Sequence, residues 1–192
     1  MRTLLTTTLL FLFTSLNSQK LIPDADKIKA AFDKLSADTN NKELQAKYVA
    51  AFPSDSGTFS NVFQTIASDR LYSGYYKYLQ VVEMCATSFP KEVIGKCIDL
   101  GKNLTWDADA IGQLQTISVS IATKYLTEFI GKFNTLTQKE QDKLINFYAD
   151  VENHNAFPAY EYLIEQLSLN GQKNTSKRLE IARAKRKQMN DH

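Results

Sequence analysis

DADAIGQLQTISVSIATKYLTEFIGKFN, residues 107–134, decides the fold class. Its apolar residues Ile111, Leu114, Ile117, Ile121, Tyr125 and Phe129 recur in three- and four-residue steps, the spacing of one helical face. The stripe predicts one long helix from near Asp107 to about Asn134. The same periodicity continues on both sides. Upstream, Pro90 occupies a first helical position before Val93, Ile94, Cys97 and Ile98, with Gly101 as the expected stop. Earlier stripes are Ile28/Ala31/Phe32/Leu35 behind Pro23, Leu44/Tyr48/Val49/Phe52 behind an Asn41 cap, Phe59/Val62/Phe63/Ile66, and Tyr72/Tyr75/Leu79/Val82. Downstream, Thr137-Gln-Lys-Glu140 spells a capping box ahead of Leu144, Ile145, Phe147 and Tyr148. Pro158 then opens a helix that Asn170-Gly171 closes. No hairpin signal separates two β-rich runs. The expectation is an all-α, irregular multi-helix bundle of about seven to nine helices with a basic C-terminal helix or tail.

Phe-Pro recurs at 52–53, 89–90 and 157–158. The apolar register after Pro53 differs from that after Pro90, so the motif reads as a helix-start device and not as a repeat. The chain has 192 residues, 43% of them hydrophobic, with seven Gly and four Pro. That fits one domain with a real core and excludes a loop-rich sandwich or a disordered chain. Residues 1–18 read as a signal peptide: Arg2, then the short apolar stretch Leu4–Phe13, then small and polar residues. The stretch is about half of what a bilayer-spanning helix needs, and no later run is longer. The expected product is a globular domain over 19–171 with a basic extension over 172–192, periplasmic or extracellular. In such a compartment Cys85 and Cys97 are expected to pair.

Charge divides at the Asn170-Gly171 stop. Residues 19–171 hold 15 basic and 19 acidic side chains, and residues 172–192 hold seven and two. In the tail, Lys177, Arg178, Arg183, Lys185, Arg186 and Lys187 are candidates for an anion-binding surface. Leu179, Ile181 and Met189 are too few apolar anchors for membrane insertion, and the tail lacks the aromatic residues of a nucleic-acid binder.

Asp107 and Asp109 are the nearest approach to a metal motif. An EF-hand loop begun at Asp107 fails at Ile111 and Ser118, so the two carboxylates read as partners of the helix N-terminus. His154 has no nucleophile elbow and no second His at helical spacing, and Glu161 with Glu165 reads as a solvated pair. No cofactor or metal is expected. In Leu71-Tyr-Ser-Gly-Tyr-Tyr-Lys-Tyr78, Tyr72, Tyr75 and Tyr78 step along a core face while Tyr76 points outward. The candidate interaction surface is therefore Tyr76, Trp106, Asp107 and Asp109. Asn103-Leu-Thr and Asn174-Thr-Ser are glycosylation acceptors only on a eukaryotic secretory route.

The run from Ala51-Phe-Pro through Leu71-Tyr72 to Leu104-Thr-Trp-Asp-Ala-Asp109, with Leu114-Gln115 beyond, resembles small secreted helical proteins of bacteria. The resemblance implies no activity and transfers no site residue. Two functions remain in view. One is an exported, non-enzymatic protein that binds another protein, with an immunity-type inhibitor as one form; the acidic body suits a basic partner. The other is a carboxylate- or metal-dependent hydrolase built on the Asp107/Asp109 region. A third acid beside the pair would favour the hydrolase, and a tyrosine-lined surface would favour binding.

Overall fold

The computed structural model describes residues 23–64, 71–105, 107, 109–150 and 158–190. Residues 1–18, Ile66, Trp106 and His154 lie outside that set. Among the described residues every regular element is helical: α1 Pro23–Ala37, α2 Lys42–Ala51, α3 Ser56–Phe63, α4 Tyr75–Cys85, α5 Pro90–Gly101, α6 Asp109–Lys124, α7 Leu126–Phe133, α8 Gln138–Ala149, α9 Pro158–Leu169 and α10 Lys173–Asn190. A short 3-10 turn, Tyr72–Gly74, precedes α4. The all-α expectation holds, with ten α-helices among the described residues where seven to nine were expected.

Local chemistry explains several helix ends. The Asn41 side chain accepts from the amides of Glu43 and Leu44, two donors that the helix itself cannot satisfy. Thr137 and Glu140 close the capping box at the start of α8. Pro90 and Pro158 are first helical residues, but Pro53 is not; α3 opens at Ser56 behind an Asp55 cap. Gly171 turns left-handed, φ 78°, and its amide reaches the Ser168 carbonyl while that of Gln172 reaches Leu167. This pattern ends α9 as read from Asn170-Gly171. Gly101 does something else. It is the last residue of α5, and a Cβ there would come within 2.8 Å of both Leu144 and Phe147 of α8. Close helix approach, not a left-handed stop, requires glycine at this position.

α6 is the hub, packed on by α4, α5, α7, α8 and α9. Its buried residues Ile111, Leu114, Ile117, Val119, Ile121 and Ala122 cover more than one face, as a surrounded helix requires. The long helix expected over 107–134 breaks at Tyr125, which leaves helical geometry at φ −120°, ψ 55°. Neither Pro nor Gly stands there. The break re-aims α7 toward α5, where Phe129 and Phe133 are buried, with Phe129 stacking on Tyr148 of α8 at 6.3 Å. Two packing partners, not local propensity, divide the segment.

The expected Cys85–Cys97 disulfide is absent: both cysteines are buried and free. Cys85, at the end of α4, lies by Tyr48, whereas Cys97 lies by Ser118 and Tyr148. The two side chains thus enter different parts of the core. Burial pushes the Cys85 thiol up to about 12 and that of Cys97 to about 11, which leaves both as inert thiols at neutral pH.

Candidate functional site

The α5–α6 loop, from Lys102 toward Asp109, is where the sequence placed its acidic pair. Each of the two carboxylates accepts a hydrogen bond from a neutral side chain. Tyr72 donates its hydroxyl to Asp109 at 2.6 Å, and Gln64 donates its amide to Asp107 at 3.2 Å. The bond to Asp109, before any other cause, raises the Tyr72 hydroxyl above its ordinary pKa. Asp109 adopts φ 57°, a left-handed conformation that Asp tolerates better than most residues. It does so as the first residue of α6, so the expectation of a helix beginning near Asp107 is shifted by two residues.

One tyrosine, Tyr72, reaches the pair. Tyr72 packs its ring 6.4 Å from that of Tyr75, and both are half-buried. Tyr78 is buried against Phe32, ring centroids 4.6 Å apart. Tyr76 is 54% exposed, as its angle on the helix implied. Tyr72, which holds Asp109, lies four residues before Tyr76 in the chain, in the 3-10 turn that leads into α4. Gln64 was missed by sequence reading. It stands at the C-terminal end of α3 with no motif around it, and only the fold carries it to Asp107.

The Asn103-Leu104-Thr105 loop separates two clefts. One, of about 430 Å³, is bordered by Ser56, Ser60, Gln64, Asp107 and Ile111. The other, of about 250 Å³, is bordered by Lys102, Lys143, Asn146, Asp150 and Arg186. Lys102 is engaged by Asp99 at 3.0 Å and Glu140 at 2.9 Å. The Asn103 side chain donates to the Asp99 carbonyl at 3.1 Å. Among the described residues no group of three or more His, Cys, Asp or Glu side chains could hold a metal ion.

The tail candidates separate by chemistry. α10 lies on α8 and α9 with Leu179, Thr175 and Ser176 buried, so it is docked and not loosely extended. Its arginines turn toward carboxylates: Arg178 to Asp142 at 2.8 Å, Arg183 to Glu161 at 2.9 Å and Arg186 to Asp150 at 3.0 Å. Arg183 also lies over the Tyr160 ring, 5.1 Å from its centre. Lys177, Lys185 and Lys187 remain exposed on the outer face. A planar guanidinium fork suits a partly buried carboxylate or ring, and a strongly hydrated ammonium does not. The six cations therefore form no single anion-binding surface. No family model, curated protein or solved structure matches the chain.

Proposed function

We propose that the chain is an exported, non-enzymatic protein that binds a basic protein partner through the surface around Tyr76, Asp107 and Asp109. One observation supports this reading above the hydrolase. The acidic pair is held by two neutral donors, Tyr72 on Asp109 and Gln64 on Asp107, and Tyr76, four residues on from Tyr72, is exposed. Such a surface offers a rigid aromatic anchor with a polar tip next to negative charge. An acid–base hydrolase instead needs one carboxylate held in its protonated form near a second.

The test is a photo-crosslinking side chain placed at Tyr76, with Lys47 of α2 as the control position, in the mature protein in its native host. A discrete adduct from position 76 alone, lost in Asp107→Asn/Asp109→Asn, is the expected result. Asparagine tolerates the left-handed backbone at 109, so the double variant should keep its fold. Equal labelling from both positions would remove the surface from consideration. Hydrolysis of an ester, phosphate or glycoside that Asp107→Asn abolishes would replace this reading with the hydrolase. Export is tested by N-terminal sequencing, which should begin within a few residues of Gln19; retention of Met1 would overturn it.

A further inference from the structure

A third cleft, of about 300 Å³, lies where α4, α6 and the first turn of α9 meet, and it uses none of the residues proposed above to bind a protein. Ile117, Pro158 and Ala159 supply apolar wall; Glu83, Gln113 and Ser120 supply polar atoms. Glu83 is half-buried there, and the Ser120 hydroxyl donates to its Oε1 at 3.0 Å. Among the described residues no cation lies within ion-pair distance of Glu83. The other partly covered carboxylates are treated differently: Asp99 and Glu140 share Lys102, and Asp150 holds Arg186. Pro158 brings a ring and no N–H to the wall, so the first residue of α9 cannot donate to the acid. Glu83 thus lines a concave, mostly apolar space with Ser120 as the hydrogen-bond partner of its Oε1.

We propose that this cleft binds a small aliphatic ammonium, its nitrogen on the Glu83 carboxylate and its carbon chain against Ile117, Pro158 and Ala159. An incoming ammonium neutralises the carboxylate and fills an open acceptor position, and the partial cover of the cleft strengthens that charge-assisted bond. Ser120 already uses one lone pair of Oε1, which crowds the bidentate fork of a guanidinium and favours the single-point ammonium. A volume at the lower end of ligand pockets limits the body to a short chain.

The probe is n-hexylammonium, compared with n-hexanol and hexanoate by calorimetry and by amide shifts in the folded protein. Hexylammonium should bind and move the amides of Ile117, Ser120 and Ala159. Hexanol, which can use the walls alone, should bind at least about tenfold more weakly, and hexanoate should not bind. Glu83→Gln keeps the shape and the Ser120 contact and should reduce hexylammonium affinity by at least about tenfold. Should that variant fail to fold, Ala159→Trp decides, because it fills the mouth while leaving the acid in place, and it should abolish binding. Equal affinity for hexanol and hexylammonium would overturn the proposal. So would full retention of ammonium binding in either folded variant, or shifts confined to other parts of the chain.

Discussion

The first four helices and the last three are held together by different physics. In α1–α4, rings do the packing: Phe52 contacts Tyr48, Phe59 and Phe63 at centroid distances of 5.9–6.4 Å, and Phe63 reaches Tyr78 at 6.2 Å. The buried polar atom of that cluster is matched from within, since Tyr48 donates its hydroxyl to the Tyr78 carbonyl at 2.7 Å. In α8–α10 the rings are fewer, Phe147, Tyr148 and Tyr160, and the buried Leu144, Leu163, Leu167 and Leu179 are joined by three arginine–carboxylate pairs. Tyr160 donates to the Leu179 carbonyl and Ser176 to that of Ile164, which sets the register of α9 against α10. Dispersion and water exclusion tolerate salt and pH; ion pairs across a half-exposed seam do not. The comparison teaches that the basic character of the C-terminal helix is largely a docking device, carried by arginine, with lysine left for solvent.

The contrast can be broken most strongly in the aromatic half. Phe63→Ala removes a fully buried ring that touches two phenylalanines and a tyrosine and should cost about 3–5 kcal/mol. Urea melts at low and high salt should give the same loss; a salt-dependent loss would contradict the division drawn above. Gly101→Ala comes next, at about 1–3 kcal/mol, because the new methyl must displace Leu144 and Phe147 where α5 meets α8. A neutral result would show that α8 can shift, and with it the arginine-paired layer.

Thr137→Ala should cost about 1 kcal/mol through loss of the cap on α8. The same corner supplies a pH test. Lys102, and then the Thr137 amide and hydroxyl, lower Glu140 from 4.5 to about 2. A depressed folded value stabilises above the ordinary carboxylate range, and that stability is lost as pH falls through 4.5 toward about 2. Glu140→Gln should flatten the acid limb of the melting-temperature profile over that window; an unchanged limb would show that Glu140 carries none of the acid sensitivity. The smallest effect belongs to Arg178→Ala, whose partner Asp142 is mostly exposed. It should cost about 0–1 kcal/mol and should shrink in high salt. A loss as large as that of Phe63→Ala would erase the distinction between the halves.

Much of this was legible in the sequence, for a local reason. Asn41, the Thr137/Glu140 box, Pro90, Pro158 and Gly171 act through atoms within four residues of themselves, so their effect is written next to them. The stripes were legible too, because a helix places residues three and four apart on one side whatever it packs against. The acidic pair and Tyr76 could be named from type and angle. Their neighbours could not, since Gln64 and Tyr72 lie far away in the chain.

Tertiary structure decided the rest. It broke the long stripe at Tyr125, since α6 and α7 answer to different neighbours. It turned Gly101 from a stop into a contact, and sent Cys85 and Cys97 into separate parts of the core. It also divided one basic tail into inward arginines and outward lysines, because only the docked face of α10 meets Asp142, Asp150 and Glu161. Helical periodicity says which residues share a face. It carries no information about which other face will lie opposite, and at each of these places that opposite face set the outcome.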